Sequence, residues 1–336
     1  MLVYILRRLL LAAFVFVAVS FVSFTVFAAP LDPTWKLGPG NPPEREQIKE
    51  QFHLNEPAVE QWWLWAKGTV RGSPEATRTV CAGRGDVRGV GGCRHAEVWA
   101  PVWPALARTA LLAGLAVVVV TIFSVLIGMI AATRPGSPLD VGLRTASYLT
   151  WSIPAFVVAV LLQLLLRHLA LNYDFEPFPV SGLPIPGEAG TGFQFVLVWA
   201  QHLALPVLTI AIGFIGAYSR YIRSALLVSL GEPYTITARA KGLTERRVVI
   251  RHALRNSLIP FVSLLTLDFG ALFGASLVAD YIFAQQGLAF LLTGAVYNAD
   301  PFELQPLVLV GAASVLLFSL LGDLVSSRLD PRIRLA

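Results

Sequence analysis

Two acids interrupt a run of otherwise apolar residues: Asp268 near its middle and Asp280 near one end. A carboxylate at that depth in a bilayer is costly unless it faces protein or water. Asp268 therefore reads either as a polar point on a translocation path or as a buried hydrogen-bonding group between helices. Cys81 and Cys93 lie in a Gly/Arg-rich tract. In an oxidising compartment a disulfide between them would restrain that tract, and both could equally stay reduced. Zinc does not fit, because only His95 is nearby and a structural site usually needs four ligands. No Gly-x-x-x-x-Gly-Lys-Ser/Thr run is present, and none of the four lysines (Lys36, Lys49, Lys67, Lys241) follows a glycine-rich loop. The chain thus carries no recognisable ATP-binding loop. Gly274-Ala275-Ser276 has the Gly-x-Ser form of an intramembrane serine protease, but no histidine lies in a later span to serve it.

The densest chemistry is cationic. Arg220 to Ser257 carries eight Lys/Arg (Arg220, Arg223, Arg239, Lys241, Arg246, Arg247, Arg251, Arg255) against Glu232 and Glu245. Its local signals are helical. Pro233 suits a first helical turn, where its missing amide hydrogen would be orphaned anyway. Thr235 to Lys241 can continue that helix, and Gly242 can end it in the left-handed conformation. Thr244 can cap a second helix, Glu245 to Arg255, whose early acid and late arginines suit the helix dipole. A basic cytoplasmic loop obeying the positive-inside rule would explain the charge but not the order of the residues.

These groups must be positioned by membrane helices. Of 336 residues, 55% are hydrophobic and 14% charged, against about 25% charged in average soluble domains. Several apolar runs reach the roughly 20 residues that cross a bilayer core. An all-α, polytopic membrane protein with six transmembrane helices is expected, at about 9–29, 106–132, 144–168, 197–219, 259–284 and 305–327. The first run follows Arg7 and Arg8 and is longer than the apolar region of a secretory signal, so it reads as a retained anchor with its N-terminus inside. The net charge of +5 sits mostly beside apolar runs, where it sets orientation; it does not indicate nucleic-acid binding.

Six spans starting inside place both termini in the cytoplasm. The segments 133–143, 220–258 and 328–336 are then cytoplasmic and basic or neutral, while 169–196 and 285–304 contain no Lys or Arg and five acids (Asp174, Glu176, Glu188, Asp300, Glu303). That asymmetry agrees with the orientation. Residues 30–104 form a long extracytoplasmic segment with equal numbers of acids and bases; long loops cross regardless of charge. After a turn-rich stretch from Pro39 to Pro43, residues 44–66 have a helical pattern. Trp62, Trp63 and Trp65 in it could lie on the bilayer surface or form a small core. Gly114 and Gly128 in the second span, and Gly270 and Gly274 in the fifth, offer small faces for close helix approach. Pro154 should kink the third span. His202 in the fourth reads as a hydrogen-bonded structural residue.

Thr237-Ala238-Arg239-Ala240-Lys241-Gly242-Leu243, followed by Arg251-His252-Ala253-Leu254-Arg255-Asn256-Ser257-Leu258-Ile259-Pro260, resembles the conserved loop of ABC importer permeases of the dipeptide/oligopeptide/nickel group. Tyr4 to Leu10, Ser152 to Phe156, His202 to Thr209, Ser219 to Ser224, Ala279 to Phe283 and Leu329 to Arg334 also resemble that family. The likeness fails over roughly 70–104 and 172–196. Asp280 stands where the family has Glu, and Gln286-Gly287-Leu288-Ala289 where it has Pro-Gly-Leu-Gly.

The resemblance implies a type I ABC importer permease bundle: an N-terminal helix (1–29), an extracytoplasmic subdomain (30–104), a permease core (105–327) with its coupling loop at 220–258, and a cytoplasmic tail (328–336). The coupling helix, with Tyr234, Ala238, Arg239, Ala240, Lys241, Gly242 and Leu243, would dock on a separate ATPase. A sister permease, two ATP-binding subunits holding ATP and Mg, and an extracytoplasmic solute-binding protein are the implied partners in a bacterial inner membrane. Di- or oligopeptides are the implied solute, with nickel or another small solute as the alternative. An ion-coupled carrier using Asp268 and Asp280, or a non-transporting scaffold, are the readings of other classes.

Overall fold

The computed structural model describes residues 2–34, 42–79, 96–185 and 190–329. Cys81 and Cys93, the stretch from Pro39 to Asn41, and the tail from Asp330 onward lie outside the described residues. In chain order the helices are α1 (Leu2–Ser23), α2 (Pro42–Gln51), α3 (Ala58–Arg71), α4 (Pro74–Thr77), α5 (Trp99–Thr133), α6 (Pro138–Ser152), α7 (Ala155–Tyr173), α8 (Phe193–Gly231), α9 (Pro233–Ala240), α10 (Glu245–Arg247), α11 (Leu254–Leu267), α12 (Phe269–Ile282), α13 (Leu288–Tyr297) and α14 (Pro301–Leu329). One two-residue antiparallel pairing, β1 (Arg78–Thr79) with β2 (Ala96–Glu97), is the sheet content of the described residues.

Among the described residues, six helices are long and apolar enough to cross a membrane: Leu6–Phe27, Trp99–Thr133, Ala155–Tyr173, Phe193–Gly231, Glu245–Leu267 and Pro301–Gly322. Their faces carry exposed Leu10, Phe14, Leu161, Leu164 and Leu317, as lipid contact requires. At 1.5 Å per residue α8 is about 58 Å long, nearly twice the roughly 30 Å hydrocarbon core. Some of its turns must therefore stand beyond the hydrocarbon.

Two expected spans are corrected. The third is divided rather than kinked: Ile153 (φ −89°, ψ 123°) and Pro154 (φ −58°, ψ 140°) are extended, so α6 stops and α7 begins afresh. Proline lacks the amide hydrogen to continue a helix, and the residue before it is pushed out of helical geometry. The fifth, expected as one helix over 259–284, is divided at Asp268, whose ψ of 3° ends α11 and starts α12.

The chain forms two compact units. One comprises Met1–Arg108 and Gln286–Leu316. Its core gathers Phe24, Phe52, Trp65, Val98, Phe302 and Leu309. Trp65 is buried there, Trp62 donates from Nε1 to Ser20 Oγ at 3.0 Å, and Trp63 is exposed. The small-core reading of the tryptophan cluster thus holds for two of the three. Ser20 and Ser23 of α1 meet Gln305 of α14: Gln305 Nε2 donates to the Ser20 carbonyl at 2.8 Å, and Ser23 Oγ donates to Gln305 Oε1 at 3.0 Å. Such bonds join helices where water is absent.

The other unit comprises Thr109–Gln285 and Leu317–Ala336. Tyr218, Phe261, Phe273, Leu112, Ile210 and Leu272 fill its core. Glycines set its closest approaches. A Cβ on Gly128 would lie 2.7 Å from the Ser219 carbonyl, and one on Gly216 would lie 2.6 Å from the Ser147 carbonyl. Gly114 and Gly274 face open space, so the close contact expected of them is absent in this unit.

Candidate functional site

The basic segment folds as a corner at the end of α8. Pro233 occupies the first turn of α9, and Thr235, fully buried, donates from its hydroxyl to the carbonyls of Leu230 and Glu232 at 2.9 and 2.8 Å. The short helix is thereby tied to the last turn of the long one. Gly242 has φ +79°, and its amide donates to the Arg239 carbonyl while the Leu243 amide donates to that of Ala238. A left-handed glycine closing orphaned carbonyls is the expected helix stop.

Arg239, itself exposed, clamps the corner. Its Nε and Nη2 donate to the two Glu245 oxygens at 3.0 and 2.7 Å, and its Nη1 donates to the Leu230 carbonyl at 3.1 Å. One guanidinium thus joins the end of α8 to the start of α10. Thr244 stands at the head of α10 without the expected side-chain cap; its carbonyl accepts from the Arg247 and Val248 amides instead. The second helix is not uniformly α over 245–255 either. A π turn, Val248–Ala253, lies between α10 and α11.

The loop residues singled out in the sequence divide by role. Ala238 is buried, Leu243 half-buried and Arg239 engaged within the chain. Tyr234, Ala240, Lys241 and Gly242 point outward. Ile236, 56% exposed beside Tyr234 at 38%, was not anticipated. The signal for it was the apolar residue two positions after Tyr234 in a helix whose other face holds Thr235 and Ala238.

The two acids of the fifth span are placed differently. Asp268, half-buried at the α11–α12 junction, accepts a hydrogen bond from the Tyr218 hydroxyl of α8 at 3.1 Å. Tyr218 in turn stacks edge-on with Phe261 at 5.7 Å and tilts against Phe214 at 5.9 Å. Asp280 is fully buried in the last turn of α12, where its carbonyl accepts from the Gln285 amide at 3.0 Å. His202 is buried, with Nδ1 2.9 Å from the Val198 carbonyl, as a structural histidine. Among the described residues no cluster of three or more His, Cys, Asp or Glu could hold a metal.

The sequence did not reveal the strongest polar junction. Asp140, in the first turn of α6, is buried and accepts from Arg223 Nε and Nη2 at 2.6 and 2.7 Å. The Gly136 amide adds a third donor at 2.9 Å. The Arg223 guanidinium, then that backbone amide, pull the Asp140 carboxyl from 3.8 to about 2. Ser147 and Ser219 continue the α6–α8 seam at 3.1 Å, and Arg220 lies 4.2 Å over the Tyr148 ring. The available signal was Asp140 itself, the one acid of the segment 133–143.

Six candidate spans among the described residues, with polar side chains buried within each unit, define a multi-span membrane protein. The chain belongs to the family of binding-protein-dependent transport system inner membrane components: that family's pattern matches residues 124–335, and the pattern of its N-terminal portion matches residues 1–113. The oligopeptide transport system permease protein AppB of Bacillus subtilis (strain 168) is 29% identical over 333 residues, covering 98% of each chain. The oligopeptide transport system permease protein OppB of Mycobacterium tuberculosis (strain ATCC 25618 / H37Rv) is 30% identical over 343 residues, covering 99% of each. The dipeptide transport system permease protein DppB of Escherichia coli (strain K12) is 30% identical over 356 residues, covering 99% of each. The chain is accordingly a transport permease rather than an enzyme.

Proposed function

We propose that this chain is the membrane-spanning subunit of an ATP-driven importer of di- or oligopeptides, and that α9 is the point where ATP hydrolysis on a partner is received. The relatives' names support the peptide class. The partners are a sister permease, two ATP-binding subunits and an extracytoplasmic solute-binding protein; both termini lie in the cytoplasm. Exposed Tyr234 and Ile236, on different sides of α9, support the docking assignment. These side chains stand beyond the end of a helix far longer than the hydrocarbon core, among charged residues, where apolar exposure is otherwise unfavourable. Arg239 and Thr235 fix α9 to α8, so a push on the short helix turns the long one. Asp268 and Asp280 then lie within the moving helices, with Asp268 as the polar point of the path.

Gly242→Asp is the decisive substitution. A side chain there projects into open space, so the fold persists at a cost of about 1–2 kcal/mol for the left-handed backbone. A bulky anion, however, stands at the docking face. Reconstituted with its co-purifying partners in proteoliposomes, the variant should insert and assemble, yet lose peptide uptake and peptide-stimulated ATP hydrolysis. Normal uptake, or uptake by this chain alone driven by an ion gradient, would overturn the reading.

A further inference from the structure

The unit built from residues 1–108 and 286–316 contains a cavity of about 310 Å³, at the lower end of the range for small-molecule sites. Its floor is aromatic, formed by Phe24, Phe52, Trp65 and Phe302. One wall is a single stripe of α3: Leu64, Lys67, Gly68 and Arg71, at helical spacing. Gly68 lets the wall close, since a Cβ there would lie 2.6 Å from Ser73 Oγ and 2.7 Å from Ala76 Cβ.

The charges on this wall are of one sign. Lys67 and Arg71 are four apart on one helix face, an arrangement that is mildly repulsive. Both are exposed, and neither makes an ion pair among the described residues. His53 stands at the same rim in a left-handed conformation, φ +55°. None of the described lining residues is Asp or Glu. An aromatic floor under two uncompensated cations selects for an apolar body with an anionic end, and guanidinium binds carboxylate through two parallel hydrogen bonds.

We propose that this cavity binds the C-terminal residue of an apolar peptide, its side chain on the ring floor and its carboxylate between Lys67 and Arg71. A lipid headgroup shares the anionic chemistry, and the experiment below distinguishes the two. The site is separate from α9 and from Asp268. Its occupancy does not depend on transport, so it can fail while the permease reading stands.

The test uses the purified full chain in a neutral detergent, with binding followed by saturation-transfer NMR and equilibrium dialysis. N-acetyl-phenylalanine should bind, and its amide at least tenfold more weakly. The double variant Lys67→Gln/Arg71→Gln should erase that difference while leaving the weak amide binding unchanged. Lys67→Arg, which keeps the charge, should bind the acid as the parent does. Rising salt should weaken the acid and not the amide. Equal binding of acid and amide, no binding of either at millimolar concentration, or retention of the difference in the double variant would overturn the proposal. Binding of short-chain phosphatidic acid without binding of N-acetyl-phenylalanine would overturn it in favour of a lipid headgroup.

Discussion

Arg223 grips Asp140 through two parallel hydrogen bonds of 2.6 and 2.7 Å, and so locks the start of α6 to α8 eight residues before α8 ends. A displacement of α8 at this point would be passed to α6 through this pair. A charge-assisted two-point pair fixes direction as well as distance. Removing one partner leaves the other without its counter-charge. Arg223→Met should accordingly reduce peptide uptake at least tenfold, and Asp140→Asn should do the same. The exchange Asp140→Arg/Arg223→Asp should recover part of it. Uptake in the double variant no better than in either single one would show that the pair acts only through its local packing.

The same pair sets an acid limit on stability. The Asp140 carboxyl is held at about 2, below its ordinary 3.8. A depressed carboxyl contributes stability above its unfolded value and loses it as pH falls through the folded one. Thermal unfolding in detergent should therefore be flat above about pH 4 for this group and weaken between about 4 and 2. Asp140→Asn should be less stable at neutral pH and lack that component of the acid decline. An unchanged acid decline in the variant would assign the loss to other groups.

Gly216 and Gly142 should respond oppositely to added bulk. Gly216→Val meets the Ser147 carbonyl, which is backbone and cannot rotate away; overpacking of this kind costs about 1–3 kcal/mol. Gly142→Ala meets nothing within 4 Å and gains about 0.5–1 kcal/mol from helix propensity. Unfolding temperatures of the two variants, measured in one detergent, decide the matter.

Tyr218→Phe removes the hydroxyl that Asp268 accepts from. Hydrogen bonds between membrane helices are worth about 0.6 kcal/mol on average, so the change in stability should be small. Asp268→Leu removes the carboxylate and should abolish uptake while the protein still inserts. Normal uptake by that variant would remove Asp268 from the path.

Much of the fold was legible because the bilayer imposes its own grammar. Apolar runs near 20 residues and the charge asymmetry of their flanks pointed to six spans, and six helices of sufficient length and hydropathy are present among the described residues, the fifth at Glu245–Leu267 rather than over 259–284. Pro233 and Gly242 marked the ends of α9, because proline's fixed φ suits a first turn and glycine takes the left-handed stop without a side-chain clash. The divisions at Pro154 and Asp268 were harder. Proline kinks and proline breaks share one sequence, and only the packing of α6 on α8 decides between them. Asp268 divides its span through its own ψ, beside the Tyr218 hydroxyl of α8, fifty positions away. Asp140 and Arg223 were invisible as a pair for the same reason: 83 residues separate them, and no local pattern links charges on different helices.

The π turn at Val248–Ala253 holds one residue more than an α turn would. Excising a single residue there would restore regular winding and leave the flanking helices close to their present phase, whereas the same excision from a regular α turn would swing everything before it by about 100° about the helix axis. With the excision in the π turn, the arginines of α10 would keep their direction. A wide turn at this spot thus absorbs a one-residue change of length without re-aiming the arginines of α10.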